Sequence, residues 1–321
     1  MNKSETKSNN KKQLFSPPNW LKNPHFQSIY GSVIRYKSKL VIHWEAISLE
    51  DGDFIDIAWV GQKDKPVVIL LHGLEGSVNS HYIQMSIDYL IDVGYQVAVM
   101  HFRSCSYRMN ANKEKSYNAG DTEDFKAILD TLIWRFKKPF KVVGYSLGGN
   151  VLLRYLEKYD DWRIEKAVII SSPFNLGLSV DQLSPFYHKV FLKSLKKKVI
   201  YKVKRQGLIG IDLKYLKSIK HLRDFDNYIT AKMYGFKDAE SYYRASSTRS
   251  DLHRVKQDTL IIHALDDPFV PYFTIPEDEE LSDSTKLILT DTGGHVGFVE
   301  GGLPWKPKIW FFKPMLDFLK Q

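Results

Sequence analysis

Cysteine is nearly absent. Cys105 is the one thiol among 321 residues, so no internal disulfide can form, and such usage suits a reducing compartment and a cytoplasmic setting. Long apolar runs are missing too. Stretches such as VVILL at 67–71 are strand-sized, far below the roughly 18 residues that cross a bilayer. The opening MNKSETKSNNKKQLFSPP is polar and lysine-rich, unlike a signal peptide or a spanning helix, and residues 1–13 are expected to form a flexible tail. No G-x-G-x-x-G fingerprint, zinc-finger spacing, RNA-binding signature or histidine pair at ligand spacing occurs. Neither cofactor, metal nor nucleic acid is therefore expected.

Composition is otherwise that of a globular chain, with 43% hydrophobic and 26% charged residues. Aromatic residues make up 13%, enough to build apolar walls around a ligand. The net charge of +9 is uneven: HKVFLKSLKKKVIYKVKRQ, residues 188–206, holds eight Lys/Arg and no acid. Its plainest reading is a solvated face. As a helix that alternates charge with apolar residues, it can also meet anionic lipid peripherally.

Along the chain, LVIHWEAISLEDGDFIDIAWV at 40–60 carries two apolar runs around Asp51-Gly52, the signal of a hairpin. Then the rhythm changes. VVILLHG (67–73), YQVAVMHF (95–102), FKVVGYS (140–146) and KAVIISSP (166–173) are continuous apolar strands. Between them lie helical patterns at 81–94, at 120–136 with Asp121 as the expected N-cap, and at 150–159. Buried strands alternating with helices predict a mostly parallel α/β sheet with helices on both faces. The rhythm breaks over 175–250 and resumes with TLIIHALDDPFVP (259–271) and TKLILTDTGGHVGF (285–298). The expected organisation is a core of residues 14–174 and 251–321, interrupted by a helical lid or cap at 175–250. That insertion follows the carboxyl end of a strand, where open α/β sheets bind ligands.

The pattern G-x-S-x-G occurs as Gly144-Tyr145-Ser146-Leu147-Gly148, between a strand and a helix. This is the setting of a nucleophile elbow, which holds a serine on a strained turn. A serine hydroxyl needs a base, and the base needs an acid, in chain order serine, acid, histidine. Of ten histidines, His295 in TGGHVGF lies in the loop after the last strand. His263 reads as a packed strand residue. Asp266 and Asp267 compete for the acid, with Asp267, at the head of the turn D-P-F-V-P, preferred. The backbone N–H groups of Leu147 and Leu74 are the candidates for an oxyanion hole. Cys105 lacks the strand–turn–helix setting of a nucleophile.

These stretches resemble the α/β-hydrolase superfamily and, within it, the YheT-like family, which also takes in eukaryotic ABHD-type hydrolases and yeast medium-chain ester synthases/esterases. The resemblance runs from about residue 15 to 315. It rests on PPNWLKNPHFQSIYGS (17–32), LLHGLEGSVNSHY (70–82), FRSCSYRMN (102–110), YNAGDTEDF (117–125), GYSLGGN (144–150), ALDDPFVP (264–271) and GGHVGF (293–298). It implies a serine hydrolase of carboxylic esters or thioesters, of short or medium acyl chains or lipids, with Ser146, Asp267 and His295 as the catalytic residues. Where relatives read R-G-C-S-G, this chain has Arg103-Ser104-Cys105-Ser106-Tyr107. That loop is expected to border the site and alter substrate shape. Two other readings use the same residues: an alcohol O-acyltransferase working through the same acyl-enzyme, and a non-catalytic binding protein on a hydrolase fold.

Overall fold

The computed structural model describes residues 15–34, 36, 38–39, 41–303 and 305–321; the expected tail over 1–13 lies outside them. Eight strands form one sheet: β1 (His43–Ser48), β2 (Phe54–Val60), β3 (Val67–Leu71), β4 (Gln96–Met100), β5 (Phe140–Tyr145), β6 (Ile164–Ile170), β7 (Asp258–Ala264) and β8 (Thr285–Thr290). Their spatial order is β1-β2-β4-β3-β5-β6-β7-β8. β1 and β2 form the antiparallel hairpin, β2 pairs antiparallel with β4, and every pairing from β4 to β8 is parallel. The chain thus reverses its strand order beside β3 and β5, the place where such sheets open a crevice at their carboxyl edge.

The period-two alternation of strand side chains divides the core into two layers. Ile69, Leu71 and Val142 face one side and pack with residues of α3 (Glu123–Phe136) and α4 (Leu147–Lys158). Val68, Leu70 and Val143 face the other and meet α2 (His81–Asp92) and the closing helix. α3 begins one residue later than Asp121 as N-cap would give: its cap is Thr122, and the Asp121 carboxylate accepts the Glu123 N–H at 3.1 Å.

Two elements lie outside the α/β rhythm. α1 (Pro24–Val33) is started by Asn23, whose side chain accepts the N–H groups of His25 and Phe26, with Pro24 at the first helical position. A small antiparallel pair, β9 (Val299–Leu303) and β10 (Lys306–Ile309), follows the loop that carries His295. Between β6 and β7 the described chain is helical: α5 (Leu176–Gln182), α6 (Pro185–Gln206), α7 (Leu213–Ser218), α8 (Leu222–Phe225), a π-helical turn Asp226–Thr230, α9 (Ala231–Met233) and α10 (Ala239–Ser246). Leu192, Val199, Leu216, Leu222 and Phe225 give this segment an apolar cluster of its own. α11 (Phe312–Lys320) closes the chain.

α6 uses its cations unevenly. Lys198 Nζ reaches Glu75 at 2.7 Å, and Lys202 Nζ donates to the Asn112 and Lys115 carbonyls. Lys196 Nζ donates to the Lys217 carbonyl at 2.9 Å and to that of Ile219. Those three lysines are therefore not part of a solvated face. Lys189, Lys193, Lys197, Lys204 and Arg205 are exposed.

Candidate active site

Ser146 sits between the last residue of β5 and the first of α4, with φ 51° and ψ −120°. That backbone is strained for a residue with a Cβ. It is held there by the Ser146 N–H, which donates to the Ile170 carbonyl at 2.9 Å, and by the first carbonyl–amide bond of α4 to Asn150. Gly148 explains half of the motif: a Cβ there would lie 2.4 Å from the Leu71 carbonyl oxygen, so only glycine lets α4 start this close to β3.

His295 and Asp267 arrive from separate loops. Ser146 Oγ is 2.8 Å from His295 Nε2, and His295 Nδ1 is 2.8 Å from Asp267 Oδ2. A carboxylate only accepts, so Asp267 selects the tautomer with the proton on Nδ1, leaving Nε2 to accept from the serine hydroxyl. Asp267 is fully enclosed, and its Oδ1 accepts the Phe269 N–H at 2.8 Å. Asp266 turns away: its Oδ1 accepts the Gly294 N–H at 2.8 Å, bracing the loop that carries His295. The two neighbouring acids thus do different jobs. The Phe269 ring stacks on the imidazole, centroids 4.1 Å apart and 20° from parallel, and Tyr187 packs edgewise on Phe269.

The His295 loop is tied from two sides that the sequence reading did not foresee. Ser28 Oγ on α1 accepts the His295 N–H at 2.8 Å, and Gln27 bonds Val299 with both ends of its amide. Ser171 Oγ, at the end of β6, accepts the Val296 N–H at 3.0 Å. The signal for α1 was present in Asn23-Pro24, a cap followed by proline at the first turn.

Leu147 opens α4, where an N–H has no intrahelical acceptor. The Leu74 N–H finds no acceptor among the described residues. Both residues lie beside Ser146 around one cavity. Gly73 brings its backbone against the serine: a Cβ there would be 3.1 Å from Ser146 Cβ.

The remaining candidates are structural. His72 Nδ1 bonds the Gly73 carbonyl and Nε2 accepts the Phe102 N–H; burial pushes its pKa down to about 3. His263 is buried, and burial lowers its pKa to about 4, so it is neutral beside Asp267. Cys105 is buried, its thiol pushed up to about 11 mainly by that burial, which leaves no thiolate at neutral pH. The loop Arg103–Tyr107 does not border the site as expected, since none of its residues lines the cavities beside Ser146. Arg103 points instead at the buried Asp53 and Asp124 and at Asp51 on the hairpin turn.

Two hollows flank Ser146 and His295. One runs under the helices between β6 and β7 and is walled by Leu147, Val180, Leu195, Leu222, Phe225 and Val270. The other is an open groove between α1 and α6, lined by Ile29, Val33, Phe186 and Val190. Among the described residues no group of three His, Cys, Asp or Glu side chains gathers as a metal ion would require, and no helix is long and apolar enough to cross a membrane.

A family model described as alpha/beta hydrolase fold matches residues 66–302. The chain is 38% identical to Escherichia coli YheT, a protein that carries a provisional esterase name, over 95% of this chain and 92% of that one. It is 30% identical to a monoacylglycerol lipase of Saccharomyces cerevisiae over 80% of this chain, which spans 59% of the yeast protein. Among solved structures, the Pyrococcus furiosus esterase Pf2001 superposes with a TM-score of 0.55 at 18% identity, covering 88% of this chain and 91% of that one.

Proposed function

The chain belongs to the alpha/beta hydrolase fold family, and from that premise we propose that it is a serine hydrolase of carboxylic esters with short or medium acyl chains or lipid substrates. The observation that carries the reading is the unbroken line Ser146–His295–Asp267, with both links at 2.8 Å, opening onto an apolar cavity. A serine so paired has its base oriented and its base's tautomer fixed before substrate arrives.

The reaction follows from the atoms. Ser146 Oγ attacks the ester carbonyl carbon while its proton passes to His295 Nε2. Asp267 stabilises the imidazolium through the Nδ1–H bond. The carbonyl oxygen, now anionic, receives the N–H groups of Leu74 and Leu147. Collapse of the intermediate breaks the bond to the alcohol oxygen, which takes the proton from Nε2 and leaves. Water then enters, gives a proton to Nε2 and attacks the acyl carbon; collapse returns the proton to Ser146 and frees the acid. The apolar cavity suits the acyl chain, and the open groove between α1 and α6 suits the departing alcohol and the incoming water. An alcohol entering by that groove in place of water gives acyl transfer from the same acyl-enzyme. The outer face of α6, with Lys189, Lys193, Lys197 and Lys204 beside Phe186 and Val190, is assigned to peripheral contact with anionic lipid.

The test is hydrolysis of p-nitrophenyl esters from acetate to palmitate. Wild-type protein is expected to turn over an alkyl ester, and Ser146→Ala to lose at least about 10³-fold in kcat. Added ethanol measures how far transfer competes. Loss of fluorophosphonate labelling in the variant alone identifies the nucleophile; absence of both turnover and labelling in the wild type favours the binding-protein reading.

A further inference from the structure

The acyl cavity is mostly apolar, and beyond Ser146 and His295 one ionisable carboxylate lines it. Asp226 heads the π-helical turn Asp226–Thr230 and lines the cavity that begins at Ser146. A π turn inserts an extra residue into a helix and recurs at functional sites. The Asp226 carboxylate accepts from Thr230 Oγ1 and from Tyr243 Oη, each at 2.6 Å. Those two donors use about half of its acceptor capacity. No salt bridge reaches it among the described residues, and Arg223, three positions earlier, is committed to Asp181 and Glu240. Burial raises its pKa to about 6, the mark of a charge held where water is scarce.

A second polar group shares the cavity. Ser179, on α5, lines it as well; it is 7% exposed and its hydroxyl has no hydrogen-bond partner among the described residues. An orphaned buried hydroxyl and a half-satisfied carboxylate in one apolar hollow are each costly. A cavity meant for a plain alkyl chain needs neither, and both are relieved by one ligand group that donates to the carboxylate and accepts from the serine.

We propose that Asp226 and Ser179 form a polar subsite within the acyl cavity, which selects esters whose acyl chain carries a hydroxyl group. The hydroxyl donates to a free lone pair of Asp226 and accepts from Ser179 Oγ. A hydroxyl fits better than an ammonium, because its desolvation on entering an apolar cavity costs far less. This inference rests on the ester-hydrolase reading and names the substrate class for the same site. Discrimination of this kind is strong in one direction, since a site built to bond a hydroxyl rejects the analogue that lacks it by leaving its own polar groups unpaired.

The experiment compares kcat/KM for p-nitrophenyl ω-hydroxyalkanoates, ω-aminoalkanoates and alkanoates of matched length, from about four to ten carbons, in wild type, Asp226→Leu, Asp226→Asn and Ser179→Ala. Thermal unfolding of each variant checks that it is folded. At the chain length that reaches the subsite, the wild type is expected to favour the hydroxy ester over the alkyl ester by about tenfold or more. Asp226→Leu is expected to reverse that ratio, and Ser179→Ala to reduce it. A residue that only held the π turn would lower all esters together and leave the ratio alone. The subsite is overturned if plain alkyl esters are cleaved through Ser146 but no chain length shows a hydroxyl preference. It is equally overturned if the preference survives in the folded variants, or if the ω-amino series is favoured over the hydroxy series. Failure of every ester together with loss of fluorophosphonate labelling would instead remove the hydrolase reading on which it stands.

Discussion

Arg103 shows how much of the sequence pattern serves the frame around the site and not the chemistry. Its guanidinium, 3% exposed, grips Asp124 with two bonds of 2.7 and 2.6 Å and reaches Asp51 at 2.7 Å and Asp53 at 3.4 Å. This single contact set ties the hairpin turn, the loop after β4 and the start of α3, joining the FRSCSYRMN and GDTED stretches. Ser104 beside it has φ 61°, a conformation that glycine adopts freely, and it is held by a reciprocal pair of bonds with Asn110. Removing Arg103 leaves the buried Asp53 and Asp124 uncompensated. Arg103→Ala is therefore expected to lower unfolding free energy by about 3–5 kcal/mol, read from urea denaturation. Arg103→Lys keeps the charge but not the planar fork, and should recover only part of the loss. A change below about 1 kcal/mol for the alanine variant would mean that the network does not hold these segments together.

At the level of elements, α1 and the His295 loop are fitted by contact, and Gly294 and Gly297 set their spacing. At Gly294 φ is +62°, and a Cβ there would stand 2.5 Å from the Pro24 carbonyl oxygen. Gly294→Ala is expected to push the loop off α1 and move the imidazole, lowering kcat on a p-nitrophenyl ester by about 10²-fold, the penalty typical of a misplacement near 1 Å. Gly52→Ala is the matched control: φ is +78° but nothing lies within 4 Å, so it should cost stability and leave kcat unchanged. Equal losses in both variants would show that backbone strain, not the approach of α1, is what matters. The elements most legible in the sequence were those whose burial is continuous. β3, β4, β5 and β6 read as unbroken apolar runs because helices cover both faces. β9 and β10, VEGGL and KPKI, carry no such pattern, since a two-stranded surface pair buries little. Ser146, His295 and Asp267 were legible because each stands in a turn with its own chemistry. Asp226 was not, since a carboxylate within a helical stretch looks like any surface acid until the cavity beside it is seen. Nor was Ser28, whose hydroxyl matters through an N–H that lies 267 positions away.

For the molecule as a whole, the excess positive charge gains meaning from where it is exposed. Lys189, Lys193, Lys197 and Lys204 fall within an arc of roughly 80° on α6 at 3.6 residues per turn, and Phe186, Val190 and Tyr201 are exposed on the same helix. The proposed lipid contact predicts co-sedimentation with anionic vesicles at low salt, loss of it at high salt, and no comparable binding to zwitterionic vesicles. At about 1 kcal/mol per lysine near such a surface, Lys189→Glu, Lys193→Glu and Lys197→Glu combined should weaken binding by at least about 100-fold. No binding to anionic vesicles at low salt would sink the contact. A last consequence concerns time. α1 is synthesised well before the His295 loop, yet the two must meet for Ser28 and Gln27 to bond His295 and Val299. A chain cut through α1 keeps the serine but loses the bonds by which Ser28 and Gln27 brace the His295 loop. The bracing of the base thus depends on two segments that lie far apart in the chain and meet only in the finished fold.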